Sequence, residues 1–203
     1  MAGSDKRFTQ AFRHLMIFEG GYANDPDDTG KETFNGISRR SWPSWGGWPL
    51  VDAAKAKLGR VVKRNGRTNI DEFFDGYREM TALVRDFYFF EYWSPVARLE
   101  LPARITEKIF DTSVHVGHGP AIMFLQAAVN LLDADAGLVI DGKAGKLTLE
   151  ALESVLSPLA GELDLLFGYR AVQTGYYIAL ARKKPSQMKF INGWLKRAAW
   201  VPE

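Results

Sequence analysis

Glu19 closes a segment of helical apolar rhythm and is followed at once by Gly20-Gly21-Tyr22. Glycines at that point let a ligand approach the backbone, and an aromatic ring stands beside it. A carboxyl group half-buried in such a place loses hydration, which disfavours its charged form and keeps its proton available for transfer. Asp25, Asp27 and Asp28 follow within nine residues. Two carboxyl groups in unequal environments make an acid and base pair. Each also has a plain alternative: Glu19 as a hydrated residue at a helix end, each aspartate as the side chain of an Asx-turn. Calcium is disfavoured for this Asp-rich turn, because the alternating ligands, the glycine and the distant glutamate of an EF-hand loop are not in register.

Beyond the carboxylates, Trp42, Trp45 and Trp48 put three of the six tryptophans into a short stretch rich in Gly and Pro. Indole faces are large and rigid, and pyranose rings stack on them. The same residues could instead close that loop as a satellite hydrophobic cluster. Tyr22 is either the wall of such a cleft or a hydrogen-bonded core residue. With Asn35, these are the candidate ligand-binding side chains. His115 and His118 lack a third ligand at recognisable spacing, so no metal and no cofactor is expected.

The elements that must position these groups are mostly helices. Phe8, Ala11, Phe12, Leu15 and Met16 recur at helical spacing, Asp5 can cap them, and Gly20-Gly21 is expected to stop the helix through left-handed backbone. Residues 22 to about 69 are rich in Gly, Pro, Asp and Asn, with Thr33-Phe34-Asn35-Gly36-Ile37-Ser38 the candidate strand or hairpin. Asn69 and Glu72 form an apparent capping box ahead of one long helix through Tyr88. The stretch from Ser94-Pro95 to Pro102 is the best boundary between halves. Further helices are expected around Ile105 to Phe110, Ile122 to Leu132 and Leu149 to Leu156, then from Pro158 to Tyr177 and from Met188 to Trp200. The fold class predicted is mainly α, with at most a small β-hairpin near the site and a helical C-terminal half.

Composition narrows the functions. Of 203 residues, 46% are hydrophobic and 25% charged, enough for a buried core. The net charge of +2 is too small for a dedicated nucleic-acid reader. The basic clusters Arg39-Arg40, Lys63-Arg64, Arg182-Lys183-Lys184 and Lys196-Arg197 read as solvated faces that could also favour an anionic surface. The chain has no cysteine, which removes disulfides and thiolate chemistry. Neither a secretory signal nor a spanning segment is visible, and a monomer is expected because no excess apolar stripe is left over.

Glu19-Gly20-Gly21-Tyr22, Asn24-Asp25-Pro26, Gly30, Thr33 and Gly36-Ile37 together resemble the signature of glycoside hydrolase family 108, the bacterial and phage N-acetylmuramidases. The spacing is also similar to that of phage-type lysozymes, in which a helix-terminal Glu precedes an Asp by nine residues and a Gly-Ile pair by seventeen, as Glu19 precedes Asp28 and Gly36. The resemblance implies a lysozyme-like module over residues 8–98, with Glu19 as the general acid on a glycosidic oxygen. Its partner is Asp28 by the lysozyme-like spacing, Asp25 by the Asn-Asp-Pro motif, or Thr33 as a polar residue that holds water. Thr33 stands one residue short of the lysozyme interval, and Gly30-Lys31-Glu32 departs from the Gly-Gly of relatives.

A second resemblance, to a predicted peptidoglycan-binding domain, covers residues 101–200. It rests on Asp111, Gly117, Leu125-Gln126, Asn130, Ile140-Asp141-Gly142-Lys143-Ala144-Gly145, Thr148 and the run Phe190 to Arg197. A packing role for this set is weighed against ligand contact. Together the two halves imply hydrolysis of peptidoglycan glycan strands between N-acetylmuramic acid and N-acetylglucosamine, as an endolysin or a secretion-associated enzyme. Such a protein would be made in the cytoplasm and delivered to the periplasm or wall by a holin or secretion system, without stable insertion in the membrane. The alternatives are a lytic transglycosylase and a non-catalytic wall-binding or secretion-helper protein.

Overall fold

The computed structural model describes residues 5–24 and 32–202. The chain divides into two compact units, residues 1–93 and 94–203.

The first unit begins with α1 (Lys6–Phe18), capped by Asp5, whose Oδ1 accepts the Phe8 N–H at 3.0 Å. Thirteen residues make a marginal helix in water, so tertiary burial must hold it. Phe8, Ala11 and Leu15 are buried, and the Phe8 ring packs edge-on to Phe89 and tilted against Trp93. Each such large side chain contributes about 1.5–3 kcal/mol by leaving water. The helix does not end through left-handed glycines as expected. Glu19 itself turns to extended backbone (φ −85°, ψ 132°), with its N–H still on Leu15 O, and neither Gly20 nor Gly21 has positive φ.

Strands β1 (Tyr22–Asn24), β2 (Glu32–Phe34) and β3 (Ile37–Ser38) form an antiparallel sheet in that order. Tyr22 faces Phe34, and Phe34 faces Ile37. Asn35 and Gly36 turn the second hairpin with φ of 45° and 80°, the left-handed pair that a tight two-residue turn requires. After α2 (Trp48–Leu58), β4 (Lys63–Arg64) and β5 (Arg67–Thr68) form a second hairpin around Asn65-Gly66, again with both φ positive. Both sheets are small and the fold is mainly α, as predicted, although the strands make more than the single hairpin expected.

The long helix expected from Asn69 to Tyr88 is two helices, α3 (Asn69–Phe73) and α4 (Arg78–Tyr88), separated by a turn with Gly76 at φ +72°. The capping box is also displaced by one residue. Thr68 and Asp71 cap each other's backbone, while Asn69 instead accepts from Val62 N and donates to Arg60 O. A π-helical turn, Phe89–Trp93, closes the unit.

The second unit comprises α5 (Ser94–Ala97), α6 (Ala103–Val116), α7 (His118–Leu132), α8 (Lys146–Leu156), α9 (Gly161–Lys183) and α10 (Ile191–Ala199). Its core is built by Ile105, Ile109, Leu125, Val129, Leu152, Leu165 and Leu166. Within it α6 also carries buried polar groups. Lys108 Nζ donates to the carbonyls of Arg197, Ala198 and Trp200 at the end of α10, and Arg197 Nε meets Asp111 Oδ1 at 3.0 Å. The helix expected to open at Pro158 begins at Gly161, after a turn in which the Gly161 N–H meets Pro158 O. On α9, Leu163, Phe167 and Ile178 are exposed. No helix among the described residues is long and apolar enough to cross a membrane.

Candidate active site

Glu19 lines a cleft of about 390 Å³ in the first unit. Phe12 and Met16 of α1, Phe34 of β2 and Phe74 make apolar walls, while Asn35, Arg67, Asp71 and Asp75 contribute polar groups. The chain reaches this arrangement through three constraints. The end of α1 sets the origin of the Glu19 side chain. The Asn35-Gly36 turn brings backbone without a side chain against its carboxylate. A β-carbon on Gly36 would overlap Glu19 Oε2 and the Tyr88 hydroxyl. Tyr88, buried on α4, donates its proton to the Asn35 carbonyl at 2.7 Å and so pins the turn from below.

Asp71 supplies the third constraint. Its Oδ1 accepts the Tyr22 N–H at 2.6 Å, and its Oδ2 accepts the Thr68 N–H at 2.7 Å and the Thr68 hydroxyl at 2.9 Å. Gly21 lies so close to this carboxylate that any side chain there would collide with it. Asp71 thus clamps the strand that leaves Glu19 to the start of α3. Sequence reasoning placed no functional weight on it. The only signal was its position three residues after Thr68, at the head of an apolar helix.

Among the other candidates, Asn35 lines the cleft beside Glu19. Thr33, opposite Ala23 and Ser38, is half-buried and is not among the side chains lining it. Asp25 and Asp28 lie outside the described residues. Of its two possible roles, Tyr22 has the buried, hydrogen-bonded one. Its hydroxyl donates to Glu32 Oε1 at 2.9 Å, and burial, reinforced by that carboxylate, pushes its pKa up to about 12. Glu32 is anchored in turn by Lys55 at 2.8 Å and Arg39 at 3.0 Å.

The tryptophans form a packed cluster. Trp45 stands edge-on to Trp48 and is stacked with Phe34, and Trp48 is buried under the Arg39 guanidinium with its indole N–H on Trp42 O. Trp42 is half-buried against Phe87. The loop is therefore closed as a satellite cluster. Tyr92, whose hydroxyl is pushed upward by burial, is opposed in that shift by a hydrogen bond with Trp42 and feels the charges of Glu91 and Glu19. Tyr92 therefore joins Trp42 to the surroundings of Glu19.

In the second unit His115 is half-buried on α6, edge-on to Tyr177 and Trp194. Its Nδ1 lies 2.7 Å from the Tyr177 hydroxyl. That hydroxyl also accepts from Gln173 Nε2, and the tautomer of the imidazole sets which group donates in the bond between His115 and Tyr177. Burial, aided by Arg197, draws the imidazole pKa down to about 4. Of the motif residues, Gln126 donates to Asp141 and Thr148, and Asn130 separately bonds the backbone of Leu138.

The model of Glycosyl hydrolase 108 matches residues 12–117, just over half the chain, and that of a Predicted Peptidoglycan domain matches residues 120–199. No curated protein matches the chain. Among solved structures, one titled as that of Brucella abortus SagA is similar in fold. Its TM-score is 0.58 at 24% identity, over 95% of this chain and 89% of that one. The chain belongs to the glycosyl hydrolase 108 family and is a lysozyme-like glycoside hydrolase of peptidoglycan.

Proposed function

We propose that Glu19 is the proton donor with which this muramidase cleaves the β-1,4 bond between N-acetylmuramic acid and N-acetylglucosamine. The single observation that carries the assignment is that its carboxyl group opens onto an apolar-walled cleft while resting against Gly36 and close to Tyr88. An acid there protonates the leaving oxygen as an oxocarbenium-like transition state develops. The second group is Asp28, Asp25 or Thr33, which activates or holds the attacking water, unless a carboxylate traps the sugar covalently. A separation of about 6.5–9.5 Å between carboxyl groups gives inversion and about 5–5.5 Å gives retention. Asn35, at the cleft, and Trp42, beside Tyr92, are the proposed sugar contacts; Trp45, Trp48 and Tyr22 support them from behind.

The protein acts in this reading as a monomer on the wall, reached through a holin or a secretion system. Glu19→Gln removes the proton with little change of shape. It should abolish lysis of wall suspensions, by orders of magnitude in rate, while leaving the melting temperature and wall binding intact. Undiminished lysis by the variant would end the assignment. Mass spectrometry of the released muropeptides separates the chemistries, since reducing muramic acid ends mark hydrolysis and anhydro ends mark a transglycosylase.

A further inference from the structure

The second unit contains a groove of about 560 Å³ where the segment 134–145 folds back over α7 and meets the first turn of α8. The segment is irregular but firmly held. Gln126 of α7, buried, donates to Asp141 Oδ1 and Lys143 O and accepts the Gly142 N–H at 2.9 Å. Asn130 grips the backbone of Leu138 twice, at 2.8 Å each way. Gly142, at φ +76°, lies against the Gly119 backbone with no room for a β-carbon. A preorganised surface of this kind lowers the ordering cost of binding.

On this fixed frame the groove presents apolar side chains to water. Val139 is 77% exposed and Leu147 74%, and both line it together with Leu138. Isolated exposed apolar residues are ordinary, but grouped in one concave site they mark a contact surface. Charges of both signs alternate with them: Lys143 and Lys146, and Asp141, whose carboxyl is held below the usual range chiefly by the Gln126 amide and then by the Lys143 N–H. Among the described residues none of the lining side chains is aromatic.

Peptidoglycan has two chemically distinct parts. Its glycan strand is largely uncharged and offers flat sugar faces, which aromatic rings bind best. Its stem peptide carries free carboxylates, an amine and small methyl side chains. We propose that this groove binds the acidic stem peptide of peptidoglycan, with Lys143 and Lys146 taking carboxylates, Asp141 facing the amine, and Val139 and Leu147 covering the methyl groups. The proposal rests on the reading of the chain as a peptidoglycan hydrolase. It adds a second point of attachment, which holds a strand near the cutting unit by multivalency.

The test is co-sedimentation of the full chain, as Glu19→Gln, with intact sacculi and with sacculi stripped of peptides by an amidase. Retention on intact sacculi should exceed that on stripped ones at least tenfold. The pair Lys143→Glu with Lys146→Glu, and separately Val139→Ser with Leu147→Ser, should each weaken binding to intact sacculi about tenfold and leave binding to stripped sacculi unchanged. All four side chains are exposed, and the ion pair touched among the described residues, Lys146 with Glu150 at 3.6 Å, contributes little at the surface, so melting temperatures should hold. Equal retention on both kinds of sacculi, or variants that bind as well as the parent, would overturn the proposal. Lysis by otherwise native protein reports separately on the enzymatic reading, so that either can fail alone.

Discussion

The carboxylate of Glu19 rests directly against the α-carbon of Gly36, a residue seventeen positions later at the tip of a hairpin. Two demands meet at that glycine. The turn needs φ of +80°, and the acid needs the space that a methyl group would fill.

Gly36→Ala should therefore cost more activity than stability. The left-handed strain amounts to about 1–2 kcal/mol, and the methyl group also pushes Glu19 and Tyr88 aside. We expect a fall in kcat/KM on wall suspensions of about 10²-fold, as an ångström-scale misplacement of a catalytic group can produce. Gly76→Ala is the control, because Gly76 has φ of +72° with nothing near the added carbon. It shares the strain without the collision. If both variants lose similar activity at similar melting temperatures, Gly36 is only a turn residue.

Asp71 should link the site to the fold. It receives two backbone N–H groups and one hydroxyl, so Asp71→Ala leaves buried or partly buried donors unmet at about 1–3 kcal/mol. Melting temperature should fall by several degrees, and kcat should fall further because the strand leaving Glu19 loses its clamp. Asp71→Asn, which keeps one acceptor oxygen, should lie between the two. A variant that melts early yet cuts at the parental rate below its transition would refute the positioning role.

Parts of this site are legible in the sequence and others are not, for identifiable reasons. The helical rhythm from Phe8 to Met16 and the Asn35-Gly36 turn are local signals, and both elements form where they indicate. The same dipeptide at Asn65-Gly66 turns a second hairpin, but the flanking Lys63-Arg64 and Arg67-Thr68 lack alternating apolar residues, so nothing marked strands there. The break between α3 and α4 is masked because Phe73, Phe74 and Tyr77 continue an apolar rhythm across it. The role of Asp71 depends on a partner 49 residues away, Tyr22, and no window of neighbouring residues contains that relationship.

Acid should weaken the second unit through His115. The folded imidazole titrates near 4 and the unfolded one near 6.5, so the unfolded chain binds the extra proton as pH falls. Stability contributed by the neutral ring is present above pH 6.5 and is lost progressively down to about pH 4. The ring is withdrawn from water beside Tyr177 and Trp194, so charging it forfeits hydration that these neighbours do not replace. Denaturant midpoints measured from pH 7 to pH 4.5 should drop more steeply for the parent than for His115→Gln, which does not titrate. Parallel profiles would show that the buried histidine carries no such linkage.

Alkali should act in the opposite sense through Lys108. Burial is the main cause that lowers its pKa to about 8, against 10.5 for an exposed lysine, with Asp111 opposing the shift and Arg170 and Arg197 reinforcing it. Between those values the unfolded chain holds a proton that the folded one has released. Stability should therefore rise with pH from about 8 toward 10. Above pH 10 the buried Tyr169 and Tyr177, whose pKa values are raised mainly by burial, reverse the trend because the unfolded phenols ionise first. Lys108→Met should abolish the rise. It should also loosen the end of α10, whose last carbonyls lose the ammonium that joins them. Hydrogen exchange at Ala198, Ala199 and Trp200 reads that loss directly. If the midpoint of the parent is flat between pH 8 and 10, or exchange at α10 is the same in the variant, the ammonium does not fasten that helix.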